Sequence, residues 1–258
     1  MSNLTFIIPV RIDSNERYGN ILTTVLYLLK HTDGKLIITE NAAVKKLNFE
    51  NIPRVTYRFQ HNSSSIFHRT KILNEMLNIV DTPITVNYDA DVLLPPASYK
   101  KAEDCILKDN ADVIYPFNFE QYDQIKIFHN DENYKKFKQS LDLNDIIPTK
   151  DNTGKTISGH CQFVNTNTYK KIFMENENFI DWGPEDTERL YRFQMFKCKV
   201  GFLDAKVYHQ EHPPSIRTNC SENNRKLFDY LSSLSSEDYK LYYQEQEYWK
   251  KYETAIYN

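Results

Sequence analysis

The chain has no glycine-rich cradle for phosphates. Only 6 of its 258 residues are glycine. Neither G-x-x-x-x-G-K-[ST] nor G-x-G-x-x-G occurs, which argues against P-loop and dinucleotide-binding readings. Cysteine is scarce: Cys105, Cys161, Cys198 and Cys220 stand far apart with no C-x-x-C. A disulfide framework and a zinc site are both disfavoured, and a reduced, cytoplasmic protein is expected. No charge of either sign dominates, since 32 lysines and arginines face 35 aspartates and glutamates for a net charge of -3. That leaves no polyanion-binding signature and disfavours a nucleic-acid partner. No apolar run approaches the roughly 20 residues of a membrane span. The opening run Leu4–Val10 is too short for a signal-peptide core and lacks a basic segment before it.

What is present is an alternation of strand and helix signals. Leu4–Val10 reads as a strand, and Ile21, Leu22, Val25, Leu26 and Leu29 as a helical stripe ending near Lys30. Lys35–Thr39 and Val55–Phe59 read as strands. Ile66, Thr70, Leu73, Leu77 and Val80 recur at helical spacing behind Ser63, Ser64 and Ser65, the candidates for its cap. Strand Ile84–Tyr88, a helix after Pro95-Pro96 and strand Val113–Tyr115 follow. Such alternation predicts an α/β fold with a mostly parallel, helix-covered sheet. Residues 117–155, rich in Asp, Asn and Lys, read as an insertion with one short helix. Gln162–Val164, a helix from Glu185 to Lys197 and strands near Val200–Leu203 and Ala205–Tyr208 resume the order. Beyond Ser221 the chain reads as helical and aromatic (Tyr239, Tyr242, Tyr243, Tyr248, Trp249, Tyr252, Tyr257), set to pack on the core or on a second subunit. The expected organisation is a domain over 1–220, with a nucleotide-binding half at 1–115 and an acceptor and metal half at 156–220. A C-terminal helical extension follows at 221–258.

The strand Ile84–Tyr88 ends in Asp89-Ala90-Asp91, where open α/β sheets place their ligands. Such a pair suits a divalent cation holding a diphosphate, because magnesium and manganese prefer carboxylate and phosphate oxygens. Aspartate also favours turns by bonding its own backbone, so the pair gains weight from two later segments. His209 and His212 follow a strand and precede Pro213-Pro214. On their own they read as loop histidines; with the aspartates, one or both rings complete a manganese site. Trp182-Gly183-Pro184-Glu185-Asp186 sets two acids where a helix should begin. Acids there favour the helix dipole, which explains neither the tryptophan nor the glycine. The chemical reading is a general base, Asp186 or Glu185, with Trp182 offering an apolar face to a sugar ring. Arg11 ends the first strand, Phe67-His68-Arg69 opens a helix where backbone N–H groups favour anions, and Glu40 follows the second strand, placed to reach a base or ribose.

In this order the segments resemble the GT-A fold glycosyltransferases, in particular the inverting enzymes of families 2 and 7, which include β-1,4-galactosyltransferases and chondroitin-synthase-like domains. Pro9-Val10-Arg11 looks like their opening nucleotide-contact strand. Ile66 through Asn74 looks like the helix whose Phe and Arg, here Phe67 and Arg69, flank uridine diphosphate. Asp89-Ala90-Asp91 is similar to their D-x-D, whose last Asp binds manganese and whose first lies near the ribose. Trp182 through Asp186 is similar to their W-G-(small)-E-D acceptor motif, which implies Asp186 as the base with Trp182, Gly183 and Glu185 beside the acceptor. His209 and His212 correspond to the downstream metal-ligand segment, His212 by position the stronger. The match runs over roughly residues 4–215. It departs at Pro184, where a small glycine is usual, and at Gly159-His160, where the pattern has paired glycines near the donor sugar.

The resemblance implies a central, mixed but mostly parallel sheet flanked by helices. It implies a metal-dependent, inverting transfer of a galactose-, N-acetylgalactosamine- or glucose-type sugar from a UDP-sugar to a hydroxyl of a glycan or lipid-linked glycan. Surface polysaccharide or glycoconjugate synthesis is the expected setting. Manganese or magnesium is expected on Asp91, His212 and His209, and the nucleotide-sugar on Pro9, Val10, Arg11, Glu40, Phe67, Arg69, Asp89, Ala90 and Asp91. Further expectations are a cytoplasmic enzyme without a transmembrane segment, peripheral contact of the tail with the inner face of a membrane, and self-association through the C-terminal helices. Two other classes compete. A sugar nucleotidyltransferase would carry a glycine-rich basic loop after the first strand, and Arg11–Arg17 contains no glycine. A non-catalytic nucleotide-sugar-binding module would not need Asp91, Asp186 and His212 together.

Overall fold

Every residue of Leu4–Val10 is buried, and a strand sealed on both faces belongs inside a parallel sheet. A computed structural model, which describes residues 2–117, 124–129, 132–147, 149–150, 158–214 and 220–257, places it there. In chain order β1 (Leu4–Val10), α1 (Asn15–His31), β2 (Lys35–Ala42), β3 (Val55–His61), α2 (Arg69–Asn78) and β4 (Ile84–Tyr88) alternate. Then come β5 (Val92–Leu93), α3 (Pro96–Leu107) and β6 (Val113–Tyr115). The insertion holds β7 (Gln124–Ile127), α4 (Glu132–Ser140), a 3-10 turn at Leu143–Asp145 and β8 (Thr149–Lys150); its residues 118–123, 130–131, 148 and 151–155 lie outside the described residues. The chain continues through β9 (Cys161–Asn165), α5 (Thr166–Lys171), α6 (Glu185–Met195), β10 (Val200–Phe202) and β11 (Val207–Gln210). It ends with α7 (Cys220–Ser233), α8 (Ser236–Glu245) and α9 (Glu247–Tyr257).

Among the described residues the strands form two sheets. The larger has seven strands in the order β10-β6-β9-β4-β1-β2-β3. All its pairings are parallel except those of β9, which runs antiparallel between β4 and β6. The smaller has the order β5-β11-β7-β8. The insertion is therefore more than a loop with a helix, because β7 pairs with β11 and braces it. One buried cluster runs through the whole fold, from Phe6 edge-on to Tyr88 (5.5 Å) to Trp249 against Phe173 (4.9 Å).

Local chemistry explains the element starts, with one correction. Ser14 Oγ accepts the Arg17 N–H (3.2 Å) and caps α1. Pro96 opens α3, where a missing N–H costs nothing. The serines at 63–65 do not cap α2, which begins later, at Arg69, with His68 ahead of it and no side-chain cap bond. Ser64 instead donates its N–H to Asn62 Oδ1 (2.8 Å) and accepts from the Ile66 N–H (3.1 Å), so the segment folds as successive side-chain turns. The tail packs on the core as expected: Tyr239, Tyr243, Trp249 and Tyr252 are buried, while the side chain of Tyr257 lies outside the described residues. No helix among those residues is long and apolar enough to cross a membrane.

Candidate active site

At the carboxyl edge of the sheet β4 gives way to Asp89-Ala90-Asp91 and then to β5. Thr24 of α1 donates to the Ala90 carbonyl (2.9 Å), and the Gln210 N–H to the Asp91 carbonyl (2.8 Å). β5 pairs antiparallel with β11, with His209 opposite Val92. This ladder carries the histidines to the aspartate, and a two-residue strand has too little periodicity to read in advance.

His212 Nε2 lies 3.0 Å from one oxygen of Asp91, and His209 Nε2 lies 3.8 Å from the other. His212 Nδ1 is 2.8 Å from the Pro213 carbonyl. A carbonyl can only accept, so Nδ1 carries a hydrogen, and Nε2, which faces the Asp91 carboxylate, is the atom that becomes a ligand once it gives up its own proton. Glu211 orients His209 in the same way, 3.1 Å from its Nδ1. Among the described residues, ligand atoms of Asp91, His209 and His212 all lie within 4.8 Å of one another. One carboxylate and two oriented imidazoles fit a divalent first-row ion. Burial would push the Asp91 carboxyl up, but the His209, His212 and Arg17 charges hold it well below the usual range. Arg17 Nη1 is 4.0 Å away, a neighbour that sequence reasoning missed because it sits one turn into a helix otherwise read for its apolar stripe.

The second half of the site is acidic. Arg69 Nη2 grips Asp89 at 2.6 Å, while its Nη1 reaches Asp186 at 3.3 Å and Glu185 at 3.8 Å. The D-x-D and the W-G-P-E-D segment are thus joined by one guanidinium. Asp186 also takes Arg189 Nη1 at 2.7 Å. Although burial raises it, these two arginines bring its pKa below the ordinary value. Glu185 fares differently: burial, then repulsion from Asp186, pushes its carboxyl up to about 7. Gly183 has a φ of +47°, a backbone that favours glycine, and a side chain at position 159 would meet Asp186 Oδ2 at 3.4 Å. Trp182 stands 55% exposed just ahead of the acids.

Other sequence candidates occupy structural posts around this centre. Pro9 and Val10 are buried in β1, in register with Thr39 and Glu40. Arg11 donates to the Asn41 carbonyl and side chain (both 3.0 Å) and to the carbonyls of Ser65 (2.7 Å) and Ile66 (2.9 Å), with its guanidinium 5.3 Å over the Phe67 ring. Glu40 is completely buried. Its carboxylate accepts from Lys46 N–H (3.0 Å), Leu47 N–H (3.1 Å) and Tyr57 hydroxyl (2.6 Å), so it holds the β2–β3 connection rather than standing open to a base or ribose.

Sequence reasoning also missed what lies behind Asp186. Arg189, fully buried, binds both oxygens of Glu175 (2.6 and 2.7 Å) and donates to Gln162 (2.9 Å). Arg192 follows against Glu188 (3.3 Å), which accepts from Tyr239 (2.6 Å) and Tyr243 of α8. His160 lies with its ring 5.9 Å from that of His209, and burial, then the His209 charge, lowers its pKa to about 4. The E-R-x-x-R spacing on α6 was the available signal, since it stacks charges on one helix face.

No protein-family model matches the sequence, and no curated protein matches it. Among solved structures, the crystal structure of GalNAc-T7 with UDP, GalNAc and Mn2+ aligns with a TM-score of 0.64 at 11% identity. The alignment covers 99% of this chain and 54% of that one. The chain therefore spans about half the length of that protein. At such identity the likeness concerns the fold, and with the sheet order described above it gives this chain a GT-A-like α/β fold.

Proposed function

We propose that this protein is a metal-dependent glycosyltransferase that moves a sugar from a UDP-sugar to a hydroxyl of a glycan acceptor, with inversion at the anomeric carbon. One observation carries the reading. Arg69 ties the Glu185–Asp186 pair to Asp89, two residues before the Asp91 of the Asp91–His209–His212 group, at the ligand-binding edge of a GT-A-like sheet. The crystallised neighbour of that fold holds UDP, GalNAc and Mn2+. Galactose-, N-acetylgalactosamine- and glucose-type donors are the candidates, and surface polysaccharide or glycoconjugate synthesis the setting.

Asp91, His212 and His209 are the residues to hold manganese or magnesium, which when bound lends positive charge to the departing diphosphate. Arg17 adds a fixed cation on the same side. Asp186 takes the proton of the acceptor hydroxyl as its oxygen bonds to the anomeric carbon. The bond from that carbon to the diphosphate oxygen breaks, and its electron pair leaves with UDP. Attack from the opposite face inverts the centre. Arg69 and Arg189 keep Asp186 ionised and aimed. Glu185, with a carboxyl near neutrality, is suited to donate a hydrogen bond to the acceptor.

Calorimetric titration with UDP tests the reading. Binding is expected with manganese, weakened about tenfold or more when the metal is withheld or Asp91 is replaced by alanine. Asp186→Asn is expected to bind UDP normally and to transfer nothing measurable. Absence of metal-dependent UDP binding in the unaltered protein would overturn the proposal.

A further inference from the structure

The segment between α5 and α6 is gripped from two sides. On one side α2 holds it: Asn74, fully buried, accepts the Glu175 N–H (2.7 Å) and donates to the Glu175 carbonyl (2.9 Å). His68 Nε2 meets the Glu177 carbonyl (2.7 Å), and Thr70 donates to the Phe179 carbonyl (2.9 Å). On the other side the C-terminal helices take the residues in between. Asn176 donates to the Tyr243 hydroxyl (3.1 Å), and Asn178 to the Tyr242 hydroxyl (2.8 Å) and the Gln246 side chain (2.7 Å). Asn224 of α7 takes the last stretch. Its Oδ1 accepts the Ile180 N–H (3.2 Å), and its Nδ2 donates to the carbonyls of Ile180 (2.8 Å) and Trp182 (3.3 Å).

We infer that Asn224, backed by Tyr242, Tyr243 and Gln246, is a positioning residue for the acceptor, fixing the backbone beneath Trp182 so that an exposed indole face is presented beside Asp186. The inference rests on the transferase reading above. Asn224 is itself buried, and a buried amide that satisfies three backbone groups of one loop defines that loop's path, because losing it strands a donor and two acceptors. Trp182 itself is more than half exposed, so the order of this stretch is built from the side of α7. A loop ordered in advance spares the incoming sugar the cost of ordering it. The bonds of Asn224 go to the acceptor loop, whereas the carbonyls of Ala90 and Asp91 are held by α1 and β11, and His209 lies in β11 paired with β5. Donor and acceptor functions should therefore separate.

Asn224→Ala tests this with two readouts. Trp182 and Trp249 are the two tryptophans, and Trp249 is only 2% exposed, so iodide quenches the emission of Trp182. Quenching is expected to steepen as the loop loosens. With p-nitrophenyl β-glycosides as acceptors, the acceptor KM is expected to rise about tenfold or more, while UDP-sugar hydrolysis without acceptor and manganese-dependent UDP binding stay within about twofold. Tyr242→Phe, which removes a hydroxyl farther back on the same segment, should raise the acceptor KM in the same direction by less. It keeps the test open if Asn224→Ala does not fold. Unchanged quenching with unchanged acceptor KM overturns the inference, as does a parallel fall in hydrolysis, UDP binding and transfer. If the unaltered protein binds no UDP with manganese, the transferase reading falls and the acceptor role falls with it. If it binds UDP while the variants leave the acceptor KM untouched, this inference alone is overturned.

Discussion

At Glu185 one carboxylate oxygen, Oε2, is buried without a hydrogen-bond partner among the described residues. Arg69, 3.8 Å from the other oxygen, only partly offsets burial and the neighbouring Asp186. The consequence for stability has a definite sign. Unfolded, the group ionises near 4.5; folded, it keeps its proton up to about 7. Between those values the folded state binds more protons, so the contribution is full below about 4.5 and is lost as pH rises through about 7. Glu185→Gln is expected to remove this loss, gaining on the parent by up to about 3 kcal/mol between pH 5 and pH 8. Denaturant unfolding at both pH values measures it, and an equal difference at the two would show that Glu185 is not the source. The two acids were legible in the sequence as a pair, but their division of labour was not. Asp186 is claimed by Arg69 from 117 residues away and by Arg189 from one helical turn on, and only the fold shows which acid is left over. Glu40 teaches the same lesson: a carboxylate after a strand looks open to ligand until Tyr57 and the 46–47 backbone close on it.

The inner face of α6 carries charge where a helix usually carries leucine. Glu188, Arg189 and Arg192 are all buried, and sequence logic places such residues in water. Here they pair with Glu175 and with the tyrosines of α8. Breaking the chain should cost far more than a surface ion pair does. Arg189→Met takes the two-pronged guanidinium from buried Glu175 and one of its two arginines from Asp186, and a loss of about 3–5 kcal/mol is expected. Tyr239→Phe removes one donor from Glu188 and should cost about 1–3 kcal/mol. Lys226→Ala, at the exposed pair with Glu222, should change stability by less than about 1 kcal/mol. Equilibrium unfolding of the three variants orders these values, and an Arg189→Met as stable as Lys226→Ala would mean that the buried chain is not structural. Long elements with clear periodicity, such as β1, α1 and β4, were legible in advance. β5 and β8, two residues each, were not, yet β5 is what brings His209 to Asp91.

Across the whole molecule, the alternation of strands and helices up to Tyr115 already specified the parallel order, whereas the return of β9 between β4 and β6 left no periodic trace because strand direction is set by long-range pairing. The site has contributions from β4, α1, α2, the 158–160 segment, α6 and β11, so a ligand that spans it should stabilise the entire fold. Manganese at about a hundred times its dissociation constant would add about 2.7 kcal/mol if it binds only the folded state, a rise of roughly 5–10 °C in the melting midpoint for a chain of this size. Asp91→Ala should abolish the rise, and an equal rise in that variant would place the ion elsewhere. The antiparallel β9 has one more consequence, for the chain as it is being made. All five residues of β4 pair with β9, so during translation one hydrogen-bonding edge of a strand that ends wholly buried stays bare until Cys161–Asn165 emerges. That interval exposes the chain to mispairing with another nascent copy; slowing elongation across residues 89–160 should therefore lower its soluble yield.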